Sequence, residues 1–244
     1  TGDRSGQAQA LKLLGIIQFN MGDRKNARQM FEESLRISRE IGNLGGVATS
    51  MGNLAILLRS EGDAAGAMKK YQESLAILRE IDDKSGVATG LNNMANIANA
   101  QGDAAGARRM YEQALALYRE TGSRSGEALT LSNLATIYFD QGDLDSSARM
   151  FEESLAIRRA IGDKPGMAMA LGNLGAVEMA RGQLSAAKAR YQQALALGRE
   201  TSNKSQEAQS MFDLGEVFLA EGDFAAARRN HEEVLSIRTA IGET

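Results

Sequence analysis

The sequence lacks the residues on which several kinds of chemistry depend. It contains no cysteine, no tryptophan, one histidine and one proline among 244 residues. A zinc site, a disulfide scaffold or a thiol nucleophile needs several Cys or His side chains, so these absences exclude all three. We expect neither a metal nor another cofactor.

Basic residues are not in excess either. Lys and Arg number 28 against 31 Asp and Glu, which gives a formal net charge of −3. A nucleic-acid-binding surface needs a surplus of positive charge, so nucleic acid is not an expected partner. No apolar run approaches the roughly 18 to 20 residues that cross a membrane. We expect a cytoplasmic protein with no membrane partner, and the lack of cysteine fits that compartment.

The dominant feature of the sequence is a repeat of 40 residues without insertions. We call each set of residues spaced by 40 a column, named after its member in the second repeat. The Leu75 column is leucine throughout, and the Tyr71 column is aromatic except at His231. This predicts a single array over residues 1–244, with repeats at approximately 4–43, 44–83, 84–123, 124–163, 164–203 and 204–243. Because the chain opens on residues that resemble the end of a repeat, we expect it to be part of a longer protein.

Each repeat has the pattern of two helices. Val87, Leu91 and Met94 follow helical spacing, as do apolar residues in the second half of the repeat. A Gly-Asp or Gly-Gln pair separates the halves, where Gly ends helix A and the polar residue caps helix B. In the first repeat this predicts helix A at about 5–21 and helix B at about 24–41.

The small residues of the Ala55 and Ala67 columns allow the two helices to cross closely. One hairpin cannot bury its own apolar face, so neighbouring hairpins must stack. The predicted fold is all-α, a right-handed superhelical solenoid of six helical hairpins. Its core takes residues 51, 54, 55 and 58 of helix A, which leaves positions 49, 52, 53, 56, 59 and 60 facing inward.

These columns resemble the signature of the tetratricopeptide repeat family. The resemblance covers the whole chain and rests on residues that recur in order and spacing: Leu54, Ala55, Gly62, Ala67, Tyr71, Leu75 and Ile77. The length of 40 residues is similar to repeats of the Pins/LGN type, of kinesin light chains and of bacterial MalT-like or Rap-like regulators. The resemblance implies a scaffold that binds a protein or peptide segment in a concave groove lined by the A helices.

One inward column is unusually rich in asparagine: Asn53, Asn93, Asn133 and Asn173. Asn is unfavourable in the middle of a helix, because its amide competes for backbone hydrogen bonds. One interpretation is a ladder of carboxamides that holds an extended peptide backbone, which the family resemblance supports. The alternative is that these amides bond the neighbouring A helix and stiffen the stack.

Further candidates for the peptide-binding groove lie at the other inward positions. The predicted binding residues, beside the four asparagines of the ladder, are Asn92, Asn96, Asn99, Arg59, Thr49, Thr89, Thr136, Phe139, Asp140, Asp213 and Glu216. Few of these are cationic, whereas three are carboxylates. The expected partner is therefore a neutral to basic segment.

Nothing in these residues indicates an enzyme. His231 occupies an aromatic column, so we interpret it as a packing residue. Ser185 and Lys188 match an S-x-x-K pattern by chance, since the other repeats do not carry it. We predict a protein- or peptide-binding module of a bacterial signalling or regulatory protein.

A self-assembling array is the alternative function. Helix A of the first repeat carries Leu11, Leu14 and Ile17, and helix B of the last carries Val234, Leu235 and Ile237. Without capping helices these faces need cover, and end-to-end association would supply it.

Overall fold

A computed structural model describes residues 2–242, and the described residues form twelve α-helices and no strand. They fall into two compact units, Thr1–Ser123 and Arg124–Thr244. Unit 1 contains α1 (Arg4–Asn20), α2 (Arg24–Glu40), α3 (Leu44–Ser60), α4 (Ala64–Glu80), α5 (Lys84–Ala100) and α6 (Ala104–Thr121). Unit 2 contains α7 (Arg124–Asp140), α8 (Leu144–Ala160), α9 (Lys164–Ala180), α10 (Leu184–Glu200), α11 (Lys204–Glu221) and α12 (Phe224–Ala240).

The all-α class and the tandem helical hairpins are confirmed. Each odd-numbered helix packs against the helix that follows it, and within a unit each even-numbered helix also packs against the next. All six A helices begin at the predicted repeat starts. In the first repeat, helices A and B both begin and end within one residue of the predicted bounds. That all six hairpins form one array stays a prediction. Its predicted ends, at Thr1 and at 243–244, lie outside the described residues.

The turns inside the repeats explain where the helices begin. Gly62 adopts a positive φ of 87°, which glycine reaches without steric cost. The next residue, Asp63, then accepts a hydrogen bond from the Gly66 backbone N at 2.8 Å and caps α4. In the fifth repeat Gln183 stands in the place of Asp63 and makes no such side-chain bond. The prediction that the polar residue caps helix B therefore holds where that residue is aspartate.

In the second repeat the core prediction is correct at three positions and wrong in part at the fourth. Met51, Leu54 and Ala55 are buried, but Leu58 is only half-buried, whereas Leu57 is completely enclosed. Leu57 joins a cluster with side chains of α2, because α3 is covered by the preceding hairpin as well as by its own partner helix. A helix packed on two sides buries a wider face than a single apolar stripe.

Buried serines also fasten helix B to helix A. Ser74 on α4 donates its hydroxyl to the Ala48 carbonyl of α3 at 2.9 Å. Ser34 and Ser154 make the equivalent bonds at 2.8 and 2.7 Å. Each bond fixes the two helices of its hairpin in register, and Ser74 also lines the first pocket described next.

Candidate functional site

In unit 1 a pocket of about 210 Å³ lies between α3, α4 and α5. Asn53 of α3 and Asn93 of α5 both line this first pocket, and both are half-buried. Tyr71 of α4 forms part of its wall. The two ladder asparagines of unit 1 therefore share one concave surface.

Two polar atoms of this pocket are buried and unsatisfied. Within residues 2–242, neither the Tyr71 hydroxyl nor Asn53 Nδ2 has a hydrogen-bond partner. Burial raises the pKa of Tyr71 to about 12, against the opposing charge of Arg59. The hydroxyl therefore keeps its proton at neutral pH, and both atoms are hydrogen-bond donors.

The predicted asparagines of α5 differ in how accessible their side chains are to a ligand. Asn92 is only 3% exposed, and the hydroxyl of Ser132, its equivalent on α7, lies 2.9 Å from the hydroxyl of Ser154 on the paired helix. Asn96 accepts a hydrogen bond from the hydroxyl of Tyr111. Asn99 is half-buried. Little of Asn92 is available for binding, and Asn96 is engaged inside its own hairpin.

The predicted threonines of unit 1 use their hydroxyls within their own hairpins, and that of Thr89 also lies 3.1 Å from the Tyr118 hydroxyl of α6. Thr49 donates to the Gly45 carbonyl at 2.8 Å, and Thr89 donates to the Ser85 carbonyl at 3.0 Å. Both side chains nevertheless line the first pocket and are exposed. Arg59 is exposed near the end of α3, and its charge acts on the hydroxyls of both Tyr71 and Tyr111.

In unit 2 a second pocket, of about 430 Å³, lies between α9, α10 and α11. Asn173, Tyr191 and Asp213 line it, and they belong to the same columns as Asn53, Tyr71 and Asn93. Burial raises the pKa of Asp213 to about 6, and the negative charge of Glu216 adds to that shift. Gln209 Nε2 donates to Asp213 Oδ1 at 2.9 Å.

The second pocket is acidic in character. Burial raises the pKa of Tyr191, and the negative charges of Asp213 and Glu178 raise it further. Glu178 Oε2 is buried without a partner among the described residues, although its other oxygen accepts from Arg190 at 3.2 Å. A cationic group would be stabilised in this environment.

The remaining predicted residues of unit 2 lie around a third depression and on α11. Thr136, Phe139 and Asp140 of α7 line a depression of about 250 Å³ with Asn173. The Thr136 hydroxyl donates to the carbonyl of Ser132. Two further predicted residues differ in exposure: Asn133 is half-buried on α7, and Glu216 is exposed on α11.

His231 behaves as the packing residue that its column predicts. Its ring meets Phe212 edge to face with centroids 5.2 Å apart, and Nε2 lies 3.4 Å from Glu216 Oε1. A Cβ atom on Gly215 would lie 2.7 Å from the ring, so the glycine makes room for it.

The tyrosines are the site residues that sequence reasoning missed. Tyr71, Tyr111 and Tyr191 belong to an apolar column in which Phe31 and Phe151 carry no hydroxyl. A buried hydroxyl needs a hydrogen-bond partner, so a tyrosine in a column that is otherwise apolar was the sequence signal for these residues.

The sequence model of the tetratricopeptide repeat family matches residues 6–80, 86–160 and 166–240. The chain belongs to this family. Its repeats typically mediate protein–protein interaction and are generally non-enzymatic. No curated protein shows a significant sequence match to the chain.

Solved structures share the fold at low sequence identity. BtubC (BKLC) from P. vanneervenii is 21% identical to this chain, with a TM-score of 0.76. The superposition covers 100% of this chain and 94% of BtubC. A putative kinesin light chain with nearly identical repeats, from Podosopora anserina, is 20% identical with a TM-score of 0.65, covering 80% and 96%. A Rap protein complexed with Competence and Sporulation Factor is 14% identical with a TM-score of 0.73, covering 100% and 67%.

No helix among residues 2–242 is long and apolar enough to cross a membrane. The same residues contain no group of three or more His, Cys, Asp or Glu side chains placed to hold a metal ion.

Proposed function

We propose that this tetratricopeptide repeat chain is an interaction module that holds an extended segment of a partner protein against its A helices. The observation that carries the proposal is that Asn53 and Asn93 share the first pocket, while Asn173 lines its counterpart in unit 2. A side-chain amide both donates and accepts, so it can bond a peptide backbone of any sequence. The similar Rap structure, solved with Competence and Sporulation Factor, supports this use of the fold.

We further propose that the partner is neutral to basic and that the module serves a bacterial signalling or regulatory protein in the cytoplasm. Asp213 lines the second pocket, where the negative charge of Glu178 also acts on Tyr191, and Asp140 lines the third depression. An acidic segment would be repelled there. The signalling role and the compartment rest on the resemblance to Rap-like regulators.

The test begins with a peptide ligand, because the natural partner is not identified. A random peptide display library is selected against the full chain, and the affinity of an enriched peptide is measured by calorimetry. We expect neutral to positively charged peptides. The double variant Asn53→Ala, Asn93→Ala should weaken binding by about 1 to 3 kcal/mol, since two hydrogen bonds are lost.

The matched control removes two amides elsewhere. Gln72 and Gln113 are exposed on the B helices α4 and α6, and Gln72→Ala with Gln113→Ala should leave affinity unchanged. Equal affinity of the parent and the Asn53, Asn93 double variant would assign those amides to bracing the helices. Enrichment of acidic peptides would overturn the charge assignment.

A second candidate function, end-to-end assembly, is favoured by exposed apolar side chains at the first and last hairpins. Leu14 is 46% exposed, whereas Leu54 and Leu134 of its column are 5% and 1% exposed. Leu235 is 68% exposed, against 6% for Leu75. The other predicted end residues differ: Ile17 is 51% exposed, Leu11 and Ile237 are half-buried, and Val234 is buried among the helices of unit 2.

The repeat register specifies how a second copy would cover these faces. Inside unit 1, Leu35 of one repeat clusters with Met51 and Leu54 of the next. If the last hairpin of one copy stacks on the first hairpin of another in this register, Leu235 covers Leu14. The alternative proposal is therefore a head-to-tail assembly of identical chains.

Sedimentation velocity over a wide range of protein concentration tests the assembly. The parent chain should polymerise as concentration rises, while Leu14→Glu alone and Leu235→Glu alone should each be monomeric. A mixture of the two variants should form dimers and nothing larger, because each keeps one intact face. Leu129→Glu, at another exposed leucine, is the control. A parent that stays monomeric throughout would rule out assembly.

A further inference from the structure

The first pocket leaves two buried hydrogen-bond donors unsatisfied. Tyr71 is only 3% exposed, and its hydroxyl has no partner within residues 2–242. Asn53 Nδ2 is in the same condition, and both side chains line the same pocket. Buried polar atoms without partners are rare in proteins, and a group that binds there is one explanation of them.

The neighbouring repeat shows what the first pocket lacks. Tyr111, in the same column, donates its hydroxyl to Asn96. In the second repeat Ile56 occupies the place of Asn96, so Tyr71 has no amide to reach. The hydroxyl is thus satisfied inside the third hairpin and has no partner in the second, at the pocket that both Asn53 and Asn93 line.

The walls of the pocket restrict what would satisfy these donors. Ala48, Ile56 and Leu78 provide apolar surface, and no atom lies within 4 Å of the point where a Cβ of Gly52 would stand. Asp83 also lines the pocket, and its carboxylate caps α5 through a bond from the Gly86 backbone N at 2.9 Å. An occupant should have an apolar stem, accept hydrogen bonds from Tyr71 and Asn53, and carry no negative charge near Asp83.

We propose, resting on the proposed peptide-binding function, that the first pocket takes the carboxamide side chain of a glutamine or asparagine in the bound segment. The amide oxygen accepts from the Tyr71 hydroxyl and from Asn53 Nδ2, and the amide NH₂ meets the acidic wall at Asp83. A carboxylate carries charge of the same sign as Asp83, and an ammonium or guanidinium group accepts no hydrogen bond. A carboxamide combines both requirements.

The experiment uses small probes, so it does not depend on finding a peptide. N-acetyl-glutamine methylamide is titrated into the isotope-labelled full chain, and the side-chain NH₂ signals of Asn53 are followed by NMR. The probe should shift these signals saturably. The glutamate and methionine analogues are similar in size. Their affinities should be lower by at least about fivefold, as expected for the loss of one hydrogen bond. Glutamate binding as tightly as glutamine, or equal binding of all three, would overturn the proposal.

Two tyrosine variants provide the specificity control and a readout without a ligand. Tyr71→Phe should reduce affinity for the glutamine probe about fivefold, whereas Tyr111→Phe should not change it. In thermal unfolding without probe, Tyr71→Phe should be at least as stable as the parent, and Tyr111→Phe should be less stable because Asn96 loses its donor. Unchanged probe affinity in Tyr71→Phe would refute the assignment.

The outcomes separate this inference from the proposed function. Display-selected peptides that depend on Asn53 and Asn93 but tolerate Tyr71→Phe would support peptide binding and refute the carboxamide subsite. Tyr71-dependent binding of the glutamine probe, without any peptide ligand for the chain, would support the subsite and refute the wider proposal.

Discussion

The first and second pockets of this tetratricopeptide repeat chain are built from the same columns and differ in their chemistry. The first, in unit 1, places Asn53, Tyr71 and Asn93 around about 210 Å³. The second, in unit 2, places Asn173 and Tyr191 in the equivalent positions around about 430 Å³. In the second pocket Asp213 replaces the amide of Asn93.

The two pockets share a structural frame and differ in the side chains that line it. The frame consists of helix positions and a buried tyrosine, which are common to both units. The lining changes from Ile56 and Thr49 to Ala176 and Met169, and from a neutral amide to a carboxylate. A repeat array can therefore vary what it recognises at one place without altering the packing of its hairpins.

The largest expected effect tests whether the frame is shared. Tyr71→Ala and Tyr191→Ala should each lower the free energy of unfolding by about 3 to 5 kcal/mol, because each ring is buried and its removal leaves a cavity. The rings are 3% and 5% exposed. Equilibrium urea unfolding gives the two losses, and losses that differ widely would break the equivalence of the pockets.

An intermediate effect tests the difference in charge. The pKa of Asp213 is raised to about 6, so the folded chain holds this proton more tightly than the unfolded chain does. Stability from this group is present near pH 4 and is lost as the pH rises through about 6. Asp213→Asn should therefore match the parent near pH 4 and exceed it by about 1 to 2 kcal/mol near pH 7.

The reciprocal change sharpens the same comparison. Asn93→Asp places a carboxylate in the first pocket and should lower stability near pH 7 but much less near pH 4. The charge of Glu216 raises the pKa of Asp213 and the charge of Arg238 lowers it, so we do not expect the two variants to change stability by the same amount. A pH-independent difference between Asp213→Asn and the parent would contradict the burial of this carboxylate.

The smallest expected effect concerns the turns that precede α5 and α11. Asp82 and Ser202 both have a φ of 53°, although Gly42, Gly122 and Gly162 occupy this column elsewhere. Ser202→Gly should raise the free energy of unfolding by about 0.5 to 1 kcal/mol, since it removes left-handed strain. Asp82→Gly should gain less, because Asp tolerates this conformation better.

The reverse substitution is the control for the turn. Gly162→Ser should lower the free energy of unfolding by about 1 kcal/mol, as measured by urea unfolding. A destabilised Ser202→Gly would show that the serine side chain contributes more than its backbone strain costs.

Much of the fold was predictable because local rules repeat. The 40-residue spacing, the Gly62 turn and the Asp63 cap act within a few residues of one another, so the helix boundaries follow from the sequence. The burial of Leu57 was missed because it depends on α2, the helix of the preceding hairpin.

The candidate site was predictable only as columns. That Asn53, Asn93 and Asn173 line pockets agrees with their assignment to an inward column, but Asn92 at an adjacent position is buried instead. Asn92 and Asn93 are consecutive, so their side chains point about 100° apart around α5, and the neighbouring helix decides which face is covered.

The sequence by itself determined the family and the twelve helices of the described residues, because periodicity and turn chemistry are local properties. Only the tertiary structure decided which polar groups are satisfied. Tyr71 and Tyr111 occupy the same column, yet the Tyr111 hydroxyl donates to Asn96 and the Tyr71 hydroxyl has no partner among residues 2–242. Hydrogen bonding and the pKa of Asp213 depend on atoms brought together from different helices, and that proximity exists only after the hairpins have packed.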